Sequence, residues 1–177
     1  KFREGNDPNY LNTDWFGATI RKFSPQHNHN VSVSGGTDNV KYFGYFAYNS
    51  QETLFKTNGG KYDRFNFQAN FDAKVSKQLS VGMDIQYVKT QNLYTSGADM
   101  SQSNVNFWQN LIYAADPKYP LYLPDRSYMS YAGITYGNPL FATNGKLAGY
   151  SDTRGNQIQY KADVTYDSKF VKGLSAK

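Results

Sequence analysis

Cysteine is missing from this chain, which excludes a disulfide framework, thiol chemistry and any thiolate metal site. Histidine is scarce: there are 2, His27 and His29. They share one face of a strand, and no third metal ligand lies near them in sequence, so a polar strand entry is favoured over a metal site. No run of about 18 consecutive apolar residues occurs, so no helix can cross a bilayer. Charged residues make up only 19% of the chain. The 19 Lys and Arg never form a run of three, so the net charge of +5 does not gather into a nucleic-acid footprint. Phosphate-binding glycine loops, nucleophile elbows and HExxH helices are absent too. These absences leave no enzyme, no cofactor and no metal to expect. No secretory leader is visible at Lys1, and the chain stops where a new strand is starting, so a piece of a longer protein is expected.

Alternation is what the chain has in abundance. From Phe65 to Val75 every odd position is apolar, and from Asn66 to Lys74 every even one is polar. After Ser76-Lys77-Gln78 the pattern resumes, with Leu79, Val81, Met83, Ile85 and Tyr87 opposing Ser80, Gly82, Asp84 and Gln86. A period of two places these sets on opposite faces of two strands joined as a hairpin. Each run has about ten residues, whereas ordinary strands have about five or six. A tilted strand of roughly 9–11 residues spans a bilayer core. Long alternating strands with tight turns on one side are the pattern of a transmembrane β-barrel. One hairpin of a large soluble sandwich would alternate in the same way.

In a membrane barrel, Phe67, Ala69, Phe71, Val81, Met83 and Ile85 face lipid. Asn66, Gln68, Asn70, Asp72, Asp84 and Gln86 then face the lumen. Asp72 and Asp84, with Lys74 alongside, read as a hydrated wall network rather than a catalytic carboxylate pair. The expected strands lie near 29–36, 40–50, 62–76, 78–90 and 157–170. Strand 41–50 has aromatics on both faces, Phe43 and Tyr45 on one and Tyr42, Phe46 and Tyr48 on the other, so alternation does not assign its lipid side. Five or six strands do not close even the smallest barrel, which needs about eight.

Residues 1–28 read as a polar external loop. Thr13 or Asn12 caps a helical turn holding Trp15, Phe16, Ile20 and Phe23, and Pro25 ends it. Two hairpins occupy 29–90, and 157–177 is a strand, a turn at Val171–Leu174 and the start of another strand. The connection 91–156 is long and rich in aromatics. Within it Ser101 or Ser103 starts a helix near 103–115, and Asn138-Pro139-Leu140-Phe141 starts another helical turn. Tyr94, Trp108, Tyr119, Tyr122, Tyr128 and Tyr131 are its candidate ligand- or partner-binding residues, because aromatic faces stack on sugars and peptides. Packing of the loop against itself is the competing role.

Several stretches in order resemble a family. Asn30-Val31-Ser32-Val33-Ser34-Gly35-Gly36-Thr37 with Val40-Lys41-Tyr42-Phe43 is similar to the first barrel hairpin of SusC/RagA-type TonB-dependent outer-membrane transporters. Thr13-Asp14-Trp15-Phe16, with Gln26 and His29, precedes it as in that family. Tyr62-Asp63-Arg64-Phe65-Asn66-Phe67, the Ser76-Lys77-Gln78-Leu79-Ser80-Val81-Gly82 turn, Tyr119-Pro120-Leu121-Tyr122, Asn138-Pro139-Leu140 and Val171-Lys172-Gly173-Leu174-Ser175 follow in order. One departure is Asp125-Arg126-Ser127, where the family often has an Asp-Gly turn. The resemblance implies an all-β fragment of a roughly 22-stranded plugged barrel in the outer membrane of a Bacteroidetes-type bacterium. It implies active import of glycans or peptides, coupling to the TonB complex through an upstream segment, and a SusD-like surface lipoprotein over the external loops. A carbohydrate-binding or adhesive outer-membrane β protein without active transport is the alternative.

Overall fold

A computed structural model describes residues 7, 11–96, 116–126, 138–171 and 174–177. Among them runs a single antiparallel sheet in sequence order: β1 (Gln26–Gly36), β2 (Val40–Glu52), β3 (Gly60–Lys74), β4 (Leu79–Thr95), β5 (Tyr150–Asp167) and β6 (Ser175–Ala176). Three short helices accompany it: α1 (Trp15–Thr19), α2 (Pro139–Ala142) and α3 (Gly145–Ala148). The sheet has β1 and β6 as its outer strands and does not close on itself. The helix expected near 103–115 lies outside the described residues.

All five long strands are present, and most run further than the alternation suggested. β1 begins at Gln26, β4 continues to Thr95 and β5 starts at Tyr150, so the connection expected over 91–156 is shortened to 96–149. β5 also ends at Asp167 rather than near 170. Backbone pairing explains the extension. The amide of Ser96 still donates to the carbonyl of Gly149 at 2.9 Å, although the side chains there no longer alternate. Gly155 permits the close approach, since a Cβ there would stand 2.6 Å from Thr90 Oγ1.

Contacts at both ends of each ladder keep one register. Gly35 lies beside Tyr42 and Val33 beside Gly44; Asn70 meets Asp84, and Asp163 lies beside Gly82. Three turns share one device. The hydroxyls of Thr37, Ser76 and Ser168 each accept from the amides two and three residues on, at 3.1–3.3 Å. Ser and Thr hydroxyls stabilise turns in this way because they offer an acceptor where the ladder cannot continue.

The described residues form two compact units. One contains the middle of the sheet: 26–50, 63–91 and 154–177. The other contains 1–25, 51–62 and 92–153, the connecting segments with the strand ends they join. In this second unit Trp15 and Phe55 are the buried apolar pair, with Ile20, Tyr119, Leu121 and Ala142 packed against them. Trp15 Nε1 donates to the carbonyl of Asp116 at 3.2 Å, and Thr13 N donates to that of Pro117 at 2.9 Å. Arg21 reaches the carbonyl of Phe55 through Nε and Nη2 and pairs with Glu52. Asp14, rather than Thr13 or Asn12, caps α1, its carboxylate accepting from Gly17 N at 2.7 Å. Asp is as good a cap as Thr and stands one residue nearer the first turn.

Candidate functional site

The sheet unit has two chemically distinct faces. Tyr48 stacks on Phe65 with ring centroids 4.7 Å apart and donates to Asp63 at 2.9 Å, so these three share a face. Alternation along β2 and β3 then adds Tyr42, Phe46, Phe67 and Phe71. Val33 against Gly44 adds β1's Val31 and Val33. The hydroxyl of Tyr87 on Asn156, at 2.8 Å, adds Met83 and Ile85 of β4 and Ile158, Tyr160, Val164 and Tyr166 of β5. Phe67 is 44% exposed, Met83 47% and Tyr160 84%. A continuous apolar face five strands wide is therefore uncovered within this unit. This register also assigns strand 41–50, which sequence left open: Tyr42, Gly44, Phe46 and Tyr48 lie on the apolar face.

Asn66, Gln68, Asn70, Asp72, Asp84 and Gln86 come together on the opposite face. Gln68 Nε2 donates to Asn70 Oδ1 at 3.0 Å, and Asn70 Nδ2 donates to Asp84 Oδ1 at 2.5 Å. Arg64 Nε donates to Asn66 Oδ1 at 3.1 Å. Lys161 pairs with Asp163 at 3.0 Å and approaches Asp84 at 3.8 Å, and Lys177 pairs with Asp163 at 3.2 Å. Gly82 makes room between two carboxylates, since a Cβ there would stand 3.1 Å from Asp163 Oδ1 and 3.2 Å from Asp72 Oδ1. A hollow of about 270 Å³ opens here, lined by Lys41, Asp72, Lys74, Ser80, Asp163 and Thr165. The parts played by Lys161, Asp163 and Lys177 were not singled out from sequence. Their alternation is legible, but which strand they adjoin depends on pairing across the long connection.

The candidate aromatics separate. Tyr94 is part of β4 and half-buried, not part of the loop; its strand pairing continues past the apolar alternation. Tyr119 is half-buried and packs on the Trp15–Phe55 core, with Lys118 Nζ 5.0 Å from its ring centre. That lysine also donates its backbone N–H to Asp116 at 2.9 Å and pairs with it at 3.0 Å. The backbone bond first, and then the ammonium, hold the Asp116 carboxyl below the usual carboxylate range. This turn's contribution is present above the ordinary carboxylate pKa and is lost as the pH falls through the depressed one. Tyr122 is exposed and lines a cleft of about 610 Å³ with Leu11, Asp14, Leu121, Leu123 and Arg126. Trp108, Tyr128 and Tyr131 lie outside the described residues.

Arg126 closes a turn whose amide donates to the carbonyl of Leu123 at 2.8 Å, and its φ is 59°. That left-handed backbone is the one an Asp-Gly turn would supply without strain. Here Arg126 takes that left-handed conformation without being glycine.

Asn138 ties α2 to Leu121, one of the residues lining the cleft. It is fully buried, caps α2 by accepting from Leu140 N at 2.8 Å, and donates to the carbonyl of Leu121 at 3.3 Å. Asn138→Ala removes a helix cap and leaves the Leu121 carbonyl without this donor. A loss of about 1–3 kcal/mol of local stability is expected. Faster amide exchange at Leu140 and Thr143 would report it, and unchanged exchange would contradict it.

No family model matches the chain. Against curated proteins, the chain is 30% identical over 139 residues to TonB-dependent receptor P26 of Formosa agariphila, a match covering 76% of this chain. The similarity supports the TonB-dependent receptor family. The chain spans 13% of the length of that relative. The uncovered apolar face and open sheet are consistent with a barrel fragment of such a receptor.

Proposed function

We propose that this chain is an early part of the barrel wall of a TonB-dependent outer-membrane transporter of the SusC/RagA type, importing glycans or peptides. The observation that carries the reading is the apolar face of the sheet: five adjacent long strands expose aromatic and aliphatic side chains on one side and a hydrogen-bonded polar network on the other. Apolar-out, polar-in alternation over strands of this length suits a wall between lipid and an aqueous lumen. Unpaired sheet edges are not tolerated in hydrocarbon, so β1 and β6 pair with further strands.

The lengths of the connections support an orientation. Those of 37–39, 75–78 and 168–174 leave one end of the sheet, and those of 53–59 and 96–149 leave the other. Barrel strands of this kind have short periplasmic turns and longer outer loops. The segment 96–149 then faces the cell exterior, where Tyr122 and its cleft are offered to substrate or to a SusD-like lipoprotein. Import proceeds by capture beneath this segment, TonB-driven movement of a plug, and release to the periplasm. No residue of this chain makes or breaks a covalent bond in that cycle.

The ends of the long connection are already adjacent through Ser96 and Gly149, so 97–148 can be deleted and bridged by a short turn. In the full-length protein this deletion is expected to reduce uptake to background and to abolish lipoprotein co-purification while the barrel still inserts. Wild-type uptake and co-purification in an inserted deletion variant would refute the role of the segment.

A further inference from the structure

The cleft at Tyr122 is lined by two stretches of chain that the fold holds in place, 11–18 and 120–126. Thr13 N donates to the carbonyl of Pro117 at 2.9 Å, and Asn138 holds the carbonyl of Leu121 at 3.3 Å. Leu121 also packs against the buried Trp15–Phe55 pair. Walls fixed in this way lose little freedom when a ligand enters. The lining is mostly apolar and includes Leu11, Ala18, Leu121, Leu123 and the ring of Tyr122. Tyr122 and Leu123 are each 40% exposed, so both offer surface to a ligand.

Two charged groups, Asp14 and Arg126, stand among these apolar ones. Asp14 is committed to the fold: its carboxylate accepts from Gly17 N at 2.7 Å and lies against the backbone of that glycine. The side chain of Arg126 is exposed, and among the described residues it makes no hydrogen bond or ion pair. Its backbone is held at a φ of 59°, where a side chain costs energy that glycine avoids. The bond from its amide to the carbonyl of Leu123, at 2.8 Å, folds the two residues into one turn. A turn of this kind brings its end residues within about 7 Å of each other. A guanidinium open to a ligand therefore belongs to the same turn as an exposed leucine.

Sugar hydroxyls laid on Leu121 and Leu123 would give up water without gaining partners, which is unfavourable. An aliphatic or aromatic side chain gains by the same burial. A guanidinium presents parallel donors that match a planar carboxylate. The last residue of a peptide carries its carboxylate and its side chain on one carbon atom, which suits a cation and an apolar wall joined in one turn. We propose that the cleft binds the C-terminal end of a peptide whose last residue is apolar, with the carboxylate held by Arg126 and the side chain against Leu121, Tyr122 and Leu123. This rests on the reading that the connection 96–149 offers its cleft to substrate, with peptides rather than glycans as the ligands of this site.

The test titrates the full-length protein in detergent, by calorimetry, with N-acetyl-Ala-Ala-Leu, its C-terminal amide, N-acetyl-Ala-Ala-Ser and the neutral oligosaccharide maltotetraose. The free acid ending in leucine is expected to bind about tenfold tighter than its amide, the usual scale of a hydrogen bond to a charged group, and tighter than the serine peptide. Arg126→Gly, which relieves the left-handed backbone, is expected to abolish the preference for acid over amide and to keep the preference for leucine over serine. Leu123→Ser is expected to do the reverse. Equal binding of acid and amide by the unsubstituted protein, or an unchanged preference in Arg126→Gly, would overturn the site. Binding of maltotetraose that Arg126→Gly weakens, with no peptide bound, would overturn it in favour of a glycan. Loss of lipoprotein co-purification in Arg126→Gly, with no peptide bound by the parent, would overturn it in favour of a protein partner. Uptake is read separately. A peptide bound through its carboxylate but never imported would remove the transport reading and keep the site, whereas import without any preference for the acid would remove the site alone.

Discussion

Trp15→Ala is expected to loosen the unit built from the connecting segments by about 3–5 kcal/mol, the usual cost of emptying a large aromatic site. Trp15 is only 3% exposed and is one of two buried apolar side chains in its cluster. Its ring also spans sequence distance. Nε1 holds the carbonyl of Asp116, which is 101 residues away in sequence, and Thr19 Oγ1 bonds the carbonyl of Trp15 itself at 2.8 Å. Removing the indole leaves a cavity against Phe55 and deprives the Asp116 carbonyl of a donor. Neighbours that repack poorly set the cost toward the upper end, and Tyr119 and Leu121 are tied into chain turns that restrict their movement. Amide exchange read at Ile20, Arg21 and Lys56 in the full-length protein measures the effect, because these amides bond Phe16, Leu54 and Thr19 within this unit. Trp15→Phe, which refills most of the space, is expected to cost clearly less. Equal protection in wild type and Trp15→Ala would show that the cluster does not hold the unit together.

Phe67→Lys is expected to destabilise the protein in lipid by up to ~2–4 kcal/mol if residue 67 lies near the bilayer midplane. Asn70→Lys is expected to cost little. Phe67 lies on the apolar face one residue pair inside its boundary at Asp63 and Lys89, with Phe46 and Tyr87 level with it on the neighbouring strands. An ammonium there would have to be desolvated or would drag water into the hydrocarbon. Asn70 is three residues away on the same strand and points to the other side, where Gln68 and Asp84 already form a polar network. A lysine in that network gains a carboxylate neighbour instead of losing water. Folding equilibria measured in lipid vesicles compare the two variants, and equal costs would contradict the assignment of the faces.

The sequence by itself carried the strands, because alternation is a local property: each residue's side is set by its neighbours two positions away. It also carried the tight turns and the composition of the Asn66–Asp72 and Asp84–Gln86 polar sets. Tertiary structure alone decided where those sets meet other strands. β2 has rings on both sides, so only its pairing with β3, fixed by Tyr48 on Phe65 and Asp63, tells which side is uncovered. Lys161 and Asp163 reach the Asp84 side only because β5 returns beside β4 after the long connection, and no local pattern encodes that return. The strand ends were misjudged for the same reason: backbone ladders at Gln91–Thr95 and Tyr150–Gly155 continue where side chains stop alternating, since hydrogen bonding depends on the partner strand and not on hydrophobicity. Which side of Tyr119 is packed is not written in an aromatic's identity. Its place against Trp15 and Phe55 depends on segments far apart in sequence meeting in one small core.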